Sequence, residues 1–493
     1  MQLMIRTLAI SVLYFASGVA ARAQEPAAKK PTVIRPGETS AKSRLETTIP
    51  ELMQKGGVPG LQIALIENGK TNWLGTFGLR KVDSGQAVTK DTVFEAASLS
   101  KTVFAYGVLK LVEQGKLELN APLTGYLPKP YIDGDDRLGK ITARYVLSHR
   151  TGFPNWRGDG NALTIRFAPG ERFSYSGEGF VYLQKVVEQI TGKPLNEYMT
   201  EAVFAPLGMT SSSYVWRADF DEKTAMGYGA DGQFRETNKP SEANAAASLH
   251  TSAGDFALFV EAILNGTGLK PETLREMETP QIAVDPECTN CTDRAPKGLS
   301  KNIFWGLGWG ITKTNAGKAI WHWGDNGAFK CFVAAYLKQK KGVVLFTNSE
   351  NGLGIAEDVV QLALGSDLPP FHWLKYERYD SPGRQFSVEV YEKGAKTAIV
   401  EFDKQFKAGK ISEDSLNSTG YGLLQQKKFS DAIAILRLNV QLHPESWNVY
   451  DSLGEAYMDQ GDKPLAIRNY EKSLELNPKN DGAAKSLKRL RAE

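Results

Sequence analysis

Laid against itself with a shift of 34 residues, the C-terminal part of the chain repeats its own pattern: Gly420 falls on Gly454, Ala432 on Ala466, Leu436 on Tyr470 and Pro444 on Pro478. A small residue, a bulky residue and a closing Pro at these offsets predict helix–turn–helix units. Such units bury their apolar faces only against one another, so they fold as a stack. The segment WNVYDSLGEAYMDQGDKPLAIRNYEKSLELNP (447–478) is the stronger copy and residues 413–446 the weaker. Ala398 and Phe402 hold the same spacing as Ala432 and Leu436, which points to a half-repeat ahead of them. About three repeats make a stable stack, so this tail is expected to cap itself or to dock on the rest of the chain.

The whole chain has 493 residues, room for two to four domains at about 150 residues each. Hydrophobic residues are 42% and charged residues 23%, and the 47 Gly and 23 Pro are spread along the chain, which excludes collagen-like, coiled-coil and wholly disordered folds. Lys plus Arg number 59 against 56 Asp plus Glu, a formal charge of +3. That field is too weak to recruit nucleic acid or an anionic membrane, so a small-molecule or peptide partner is expected.

At the N-terminus Arg6 precedes an apolar run, LAISVLYFASGVAA (8–21), which ends in Ala21-Arg22-Ala23. A basic region, an apolar core and a small-x-small cleavage site make residues 1–23 a signal peptide. The run is shorter than the ~20 residues a helix needs to cross a bilayer. The mature chain is therefore expected to begin near Gln24, to be periplasmic or extracellular, and to carry no membrane span. In an oxidising compartment thiols tend to pair. Cys288 and Cys291 form a C-x-x-C in a loop-like stretch with no His nearby, so they read as a short structural disulfide in preference to half of a zinc site, and Cys331 stands alone.

Residues 24–42, rich in Pro, Lys and Ala, read as a linker. LQIALIE (61–67) and TNWLGTFGL (71–79) flank Asn68-Gly69-Lys70, the signature of a β-hairpin. From Ser98, residues Val103, Phe104, Gly107, Val108, Leu111 and Val112 keep helical spacing, with an end near Gly115. Residues 120–300 mix short helical patterns with Gly and Pro turns, and from Ile303 the pattern turns to strands. A final apolar helix covers about 356–364. A helical lobe inserted between a first hairpin and the last antiparallel strands is an α+β arrangement. Pro369-Pro370 opens a linker, 369–385, so the expected domains are 43–368 and an all-α unit 386–493.

Ser98-Leu99-Ser100-Lys101, at the expected start of a helix, reads either as a reactive serine–lysine pair or as an N-cap serine with a chance Ser-x-x-Lys spacing. Residues three apart on a helix share a face, so Lys101 can reach the Ser98 hydroxyl. A lysine takes the proton of a serine only where burial or nearby cations lower its pKa. The start of a helix adds backbone N–H groups where an oxyanion would form.

Two further fragments follow in order, PGERFSYSGEGFVYLQKVVEQITGKPLNEYM (169–199) and WHWGDNGAF (321–329). With EAASLSKTVFAYGVLKLVEQGKLELNAPLTGYLP (95–128) and YVLSHRTGFP (145–154), they resemble the β-lactamase-related serine hydrolases over roughly residues 45–365. These include class C β-lactamases, some penicillin-binding proteins, D-amino peptidases and esterases. The 34-residue units in turn resemble tetratricopeptide repeats. The resemblance implies a β-lactamase/transpeptidase-like antiparallel sheet flanked by helices, and it implies roles. Ser98 matches the acylated nucleophile and Lys101 the lysine that activates it. Tyr175 matches the tyrosine that shuttles the proton to the leaving group as general base and acid. His322-Trp323-Gly324 matches the third element, Lys-Thr-Gly in β-lactamases and commonly His-x-Gly in peptidases and esterases. The backbone N–H groups of Ser98 and Asp325 match the oxyanion hole. Gly177, Trp323 and Gly324 fall at substrate-contacting positions.

Two departures limit the substrate. Gly177 stands where the family usually has Asn, whose side chain would bond both the lysine and a substrate amide. His322 replaces the lysine that holds the carboxylate of a penicillin, and a mostly neutral imidazole does this less well. Both point to an esterase or a peptidase on small acyl or D-amino-acid-containing compounds, ahead of a β-lactamase or a D-Ala carboxypeptidase. No cofactor or metal is required. No G-x-S-x-G elbow, H-E-x-x-H or P-loop occurs. His149, His250, His372 and His443 read as structural or surface residues. Trp156, Trp305, Trp309, Trp321 and Trp323 could line a pocket, although aromatic residues in strands are more often core. A reading of another class is an inactive hydrolase fold whose repeats, 386–493, recruit a protein partner.

Overall fold

The computed structural model describes residues 40–158, 162–292, 294–405 and 411–492. The expected signal peptide and most of the linker 24–42 lie outside the described residues. The first described element is α1 (Ala41–Gly56), two residues ahead of the expected domain start at 43, and the Ser40 hydroxyl caps it by accepting from the Ser43 N–H at 3.2 Å.

β1 (Gly60–Glu67) and β2 (Lys70–Lys81) form the expected hairpin. Asn68 and Gly69 both have positive φ, 53° and 74°, the conformation that matches a two-residue turn to the twist of its strands. Seven more strands complete one sheet: β3 (Gln86–Ala87), β4 (Ile282–Ala283), β5 (Ile303–Trp305), β6 (Gly310–Thr314), β7 (Gly317–Asp325), β8 (Lys330–Tyr336) and β9 (Lys341–Thr347). Their order is β3-β2-β1-β9-β8-β7-β6-β5-β4, antiparallel at each pairing. β1 pairs with β9 from Leu61↔Thr347 to Ile66↔Gly342. The first hairpin and the last strands thus close one sheet, and the helical lobe is an insertion between them.

Alternation along the strands divides the core. Ala64, Ile66, Ile320, Val333 and Phe346 face the lobe, where α2 (Ser100–Glu113) brings Val103, Phe104 and Val108. Leu61, Ile63, Trp321, Phe332 and Leu345 face α1 and α5 (Gly352–Leu364), against Leu45, Ile49, Ile355 and Val359. α3 (Gly177–Thr191) and α4 (Ala253–Asn265) belong to the lobe. Each end of α4 is capped: Ser252 accepts from the Asp255 N–H, and Gly266 takes the left-handed conformation.

Residues 369–385, expected as a linker, are packed. α6 (Pro370–Leu374) buries Trp373 among Phe173, Trp305, Trp321 and Trp323, and its indole N–H donates to the Asp285 carbonyl at 2.7 Å. Arg378 pairs with Glu357 and Asp358 of α5. The Pro-Pro pair breaks the preceding pattern, but the aromatic residues beyond it still find the sheet.

The helices that follow stack as the self-match requires: α7 (Pro382–Lys393), α8 (Ala395–Gln405), α9 (Glu413–Gln425), α10 (Phe429–Leu442), α11 (Trp447–Gln460), α12 (Lys463–Leu476) and α13 (Asp481–Ala492). A Cβ on Gly420 would lie 2.7 Å from Leu436, and one on Gly454 would lie 3.1 Å from Tyr470. The small residue therefore exists to admit the bulky one from the next helix. The expected half-repeat is a full helix pair, α7–α8, with Ala398 and Phe402 buried in it. The stack docks on the sheet-and-lobe part: Arg384 donates to the Ala230 carbonyl at 3.0 Å and Gln426 to the Asp231 carboxylate at 2.5 Å. No helix among the described residues is long and apolar enough to cross a membrane.

Candidate active site

The segment ahead of α2 is held on both sides. Phe94–Glu95 pairs with His250–Thr251, and Ala97 takes φ 46°, a left-handed conformation that costs a non-glycine residue energy and is typical of functional turns. Residues Ala97–Leu99 form a 3₁₀ turn that runs into α2, so Ser98 sits on the turn and not in the α-helix itself. Ser98 is half-buried, and Lys101 is fully buried one turn on.

Lys101 Nζ lies 3.0 Å from Ser98 Oγ and 2.7 Å from the Ala246 carbonyl oxygen. Three rings surround it, with centroids 4.9 Å (Tyr175), 5.7 Å (Phe180) and 5.9 Å (Trp156) away. Burial among these groups brings its pKa down to about 7, because the ammonium has given up water. The Ala246 carbonyl gives the Lys101 nitrogen a buried acceptor besides the Ser98 hydroxyl.

Tyr175 precedes the Ser176 cap of α3. Its backbone N–H donates to the Thr289 carbonyl at 2.9 Å. Thr289 lies between Cys288 and Cys291, which are joined in a disulfide, so the short covalent loop braces the tyrosine. The phenol is buried and makes no hydrogen bond of normal geometry, although the Ser98 hydroxyl is near enough to offset part of the burial that pushes its pKa up. His149, read from sequence as structural or surface, stacks on Tyr175 at 4.2 Å. Its Nδ1 accepts the Ser176 N–H at 3.0 Å, which leaves the proton on Nε2. Its position inside the fragment YVLSHRTGFP was the signal that could have placed it here.

β7 delivers the third element. His322 shares its face with Ile320, toward the lobe, while Trp321 and Trp323 turn the other way. The His322 ring is fully buried and its Nδ1 donates to the Trp323 carbonyl at 2.7 Å. That fixes Nε2 as a bare acceptor, and burial with Lys101 nearby lowers its pKa to about 3. The ring is neutral at pH 7. A Cβ on Gly324 would lie 2.6 Å from the Ala96 carbonyl and 3.1 Å from the Ala97 methyl. Only glycine lets the end of β7 touch the turn that carries Ser98, with the Asp325 backbone immediately beyond. The Asp325 carboxylate accepts from Lys330 and from Tyr376 Oη, the latter at 2.7 Å, and Tyr376 also accepts the Trp323 indole N–H at 3.2 Å.

The structure thus brings Ser98, Lys101, Tyr175, His322 and Gly324 together. Trp323 packs beneath Tyr175, 4.8 Å between ring centroids. Of the other tryptophans, Trp305, Trp309 and Trp321 are core, while Trp156 is 44% exposed at the rim. His149 Nε2, Tyr175 Oη and His322 Nε2 are buried and find no hydrogen-bond partner among the described residues. Lys101 sits over the Tyr175 ring, and its charge adds to burial in lowering the pKa of both His149 and His322, so the four side chains form one electrostatically coupled cluster. A serine beside a lysine of pKa near neutrality can be deprotonated and attack an acyl carbon.

A fold with this sheet, an inserted helical lobe and Ser-x-x-Lys at the start of a buried helix defines a serine-hydrolase class. The family described as Beta-lactamase matches residues 45–364, and the chain belongs to it; a tetratricopeptide repeat matches residues 447–480. The chain is similar to Protein flp of Staphylococcus aureus, 24% identical over 335 residues that cover 62% of this chain and 63% of that protein. It therefore spans less than two thirds of the length of that relative. Esterase EstB of Burkholderia gladioli is 26% identical over 300 residues, covering 50% of this chain and 76% of the esterase. Among solved structures, an octameric penicillin-binding protein homologue from Pyrococcus abyssi aligns with a TM-score of 0.55 and 26% identity, covering 66% of this chain and 78% of that one.

Proposed function

We propose that the protein is an exported serine hydrolase that forms an acyl-enzyme on Ser98, acting as an esterase or as a peptidase or amidase on small acyl or D-amino-acid-containing compounds. The observation that carries this reading is the 3.0 Å contact of Ser98 Oγ with a fully buried lysine of pKa about 7. Neutral Lys101 takes the Ser98 proton as Oγ bonds to the acyl carbon. The oxygen that gains charge is met by the backbone N–H groups of Ser98 and Asp325. Collapse of this intermediate breaks the bond to the leaving group, which takes the proton back from Lys101 through the Tyr175 hydroxyl. Water then releases the acid by the same steps in reverse. Burial keeps Tyr175 a neutral phenol, which suits a relay and leaves the role of base to Lys101.

The neutral, buried His322 and the Gly at 177 both weigh against efficient penicillin turnover. The Cys288–Cys291 disulfide supports export to an oxidising compartment. Intact mass of the mature chain and of Ser98→Ala, after exposure to a short-chain aryl ester and separately to a penicillin, tests the reading. Ester turnover that depends on Ser98 without a penicillin adduct is the expected outcome. A stable penicillin adduct would move the assignment to a penicillin-binding protein, and silence with both would move it to a binding role for the repeats.

A further inference from the structure

The space that an Asn at 177 would occupy is filled. A Cβ on Gly177 would meet the six-membered ring of Trp156 at 2.6 Å (Cη2), 2.8 Å (Cζ2) and 2.9 Å (Cζ3). The clash is at Cβ itself, so no rotamer of a larger residue avoids it. The backbone on either side of Trp156 is held by the start of α3. Pro154 accepts from the Ser176 hydroxyl at 2.8 Å, and the Asn155 carbonyl accepts from the Gly177 and Glu178 N–H groups, both at 3.0 Å. On the other side Glu178 takes the Arg157 guanidinium at 2.7 and 3.0 Å and the Arg157 N–H at 3.0 Å. The chain carrying Trp156 is thus anchored on both sides of it. Trp156 is 44% exposed, far too open for a core tryptophan. Its inner face lies over Lys101 Nζ at 5.9 Å, and that nitrogen is 3.0 Å from the Ser98 hydroxyl.

We propose that Trp156 is the wall of the acyl subsite and sets the substrate class: carboxylic esters whose acyl part is flat or apolar and carries no amide beside the carbonyl. This deepens the Ser98 acyl-enzyme reading and rests on it. A side chain that pairs with a substrate amide rejects compounds lacking that amide, because its own polar groups would be left unpaired. An indole face inverts this preference. It gains by covering apolar surface and offers nothing to the N–H or C=O of an acylamino group, which loses its water on entry.

The test uses the full chain and two p-nitrophenyl esters, the butyrate and the N-acetylglycinate, with kcat/KM measured for each. The parent is expected to favour butyrate by about tenfold or more. Trp156→Ala is expected to bring that ratio close to one, chiefly through KM for butyrate, and Trp156→Phe to keep it. In the double variant Trp156→Ala with Gly177→Asn the preference is expected to turn toward N-acetylglycinate. Circular dichroism of each variant confirms the fold. If the parent is acylated on Ser98 but Trp156→Ala slows both esters by the same factor, the subsite assignment is overturned and the hydrolase reading stands. If neither ester acylates the parent, both fall together.

Discussion

At the scale of single residues, the fate of the site turns on one proton. Lys101 falls from the ordinary lysine value of 10.5 to about 7 because its ammonium is buried, and the active form in acylation is the neutral amine. Acidification below about 7 therefore removes the base. kcat/KM for an ester is expected to rise about tenfold per pH unit below that point and to level off above it. A profile flat from pH 5.5 to 8 would falsify the assignment of Lys101 as base. Lys101→Arg keeps the charge but cannot give up its proton, and is expected to lose about a thousandfold or more. That Ser98, Lys101, Tyr175 and His322 lie close together was anticipated through the resemblance of the fragments that carry them, since each residue alone reads as a helix cap or a core side chain. The Ala246 carbonyl was not, since a backbone acceptor leaves no side-chain signature. Trp156 was named only as a possible pocket residue: nothing in the order of residues says that position 156 lies across position 177, and the glycine reads as a loss until its occupant is seen.

Among the elements, β7 and the turn at His149 each bury a neutral imidazole, and the short strand pair at His250–Thr251 buries another. Desolvation lowers His322 to about 3 and His250 to about 4, and drives His149 well below its usual value. The unfolded chain takes up a proton at each near pH 6.5 while the folded chain does not. Stability is thus unaffected by these groups above about 6.5 and falls as pH drops from there to the folded-state values, by about 1.4 kcal/mol per pH unit for each histidine. Urea unfolding at pH 7, 6 and 5 is expected to show this steep loss, and His250→Asn to reduce its slope by about one proton; an equal slope in the variant would refute that origin. Element boundaries were legible where local chemistry sets them. Asn68-Gly69 fixed the hairpin, and Gly115 closed α2 with φ 69°. The 369–385 segment was opaque for the opposite reason. Its structure comes from Trp373 finding an aromatic cluster built by residues 173, 305, 321 and 323, contacts that no local pattern announces.

Across the whole molecule, the helical stack and the hydrolase domain are not independent bodies joined by a tether. The segment that joins them supplies Trp373 to the core beneath β7, and Tyr376 to the end of that strand. Tyr376 Oη accepts from Trp323 and donates to Asp325, so it ties the two residues that flank Gly324. Gly324 is the point where β7 touches the Ser98 turn, and the N–H of Asp325 is the proposed oxyanion donor. The position of that donor therefore depends on a hydroxyl contributed from outside the family domain. Tyr376→Phe removes the hydroxyl and leaves the ring. Lys330 and the Gly327 N–H still hold the Asp325 carboxylate, so the strand should stay folded while its end gains freedom. An oxyanion donor acts mainly in the transition state. The variant is accordingly expected to lose about fivefold to fiftyfold in kcat on an aryl ester, with KM nearly unchanged and the thermal midpoint within a few degrees of the parent. Equal losses in kcat and in thermal stability would make Tyr376 a packing residue only. A selective loss in kcat would mean that the segment joining the two parts positions the oxyanion donor through this one hydroxyl.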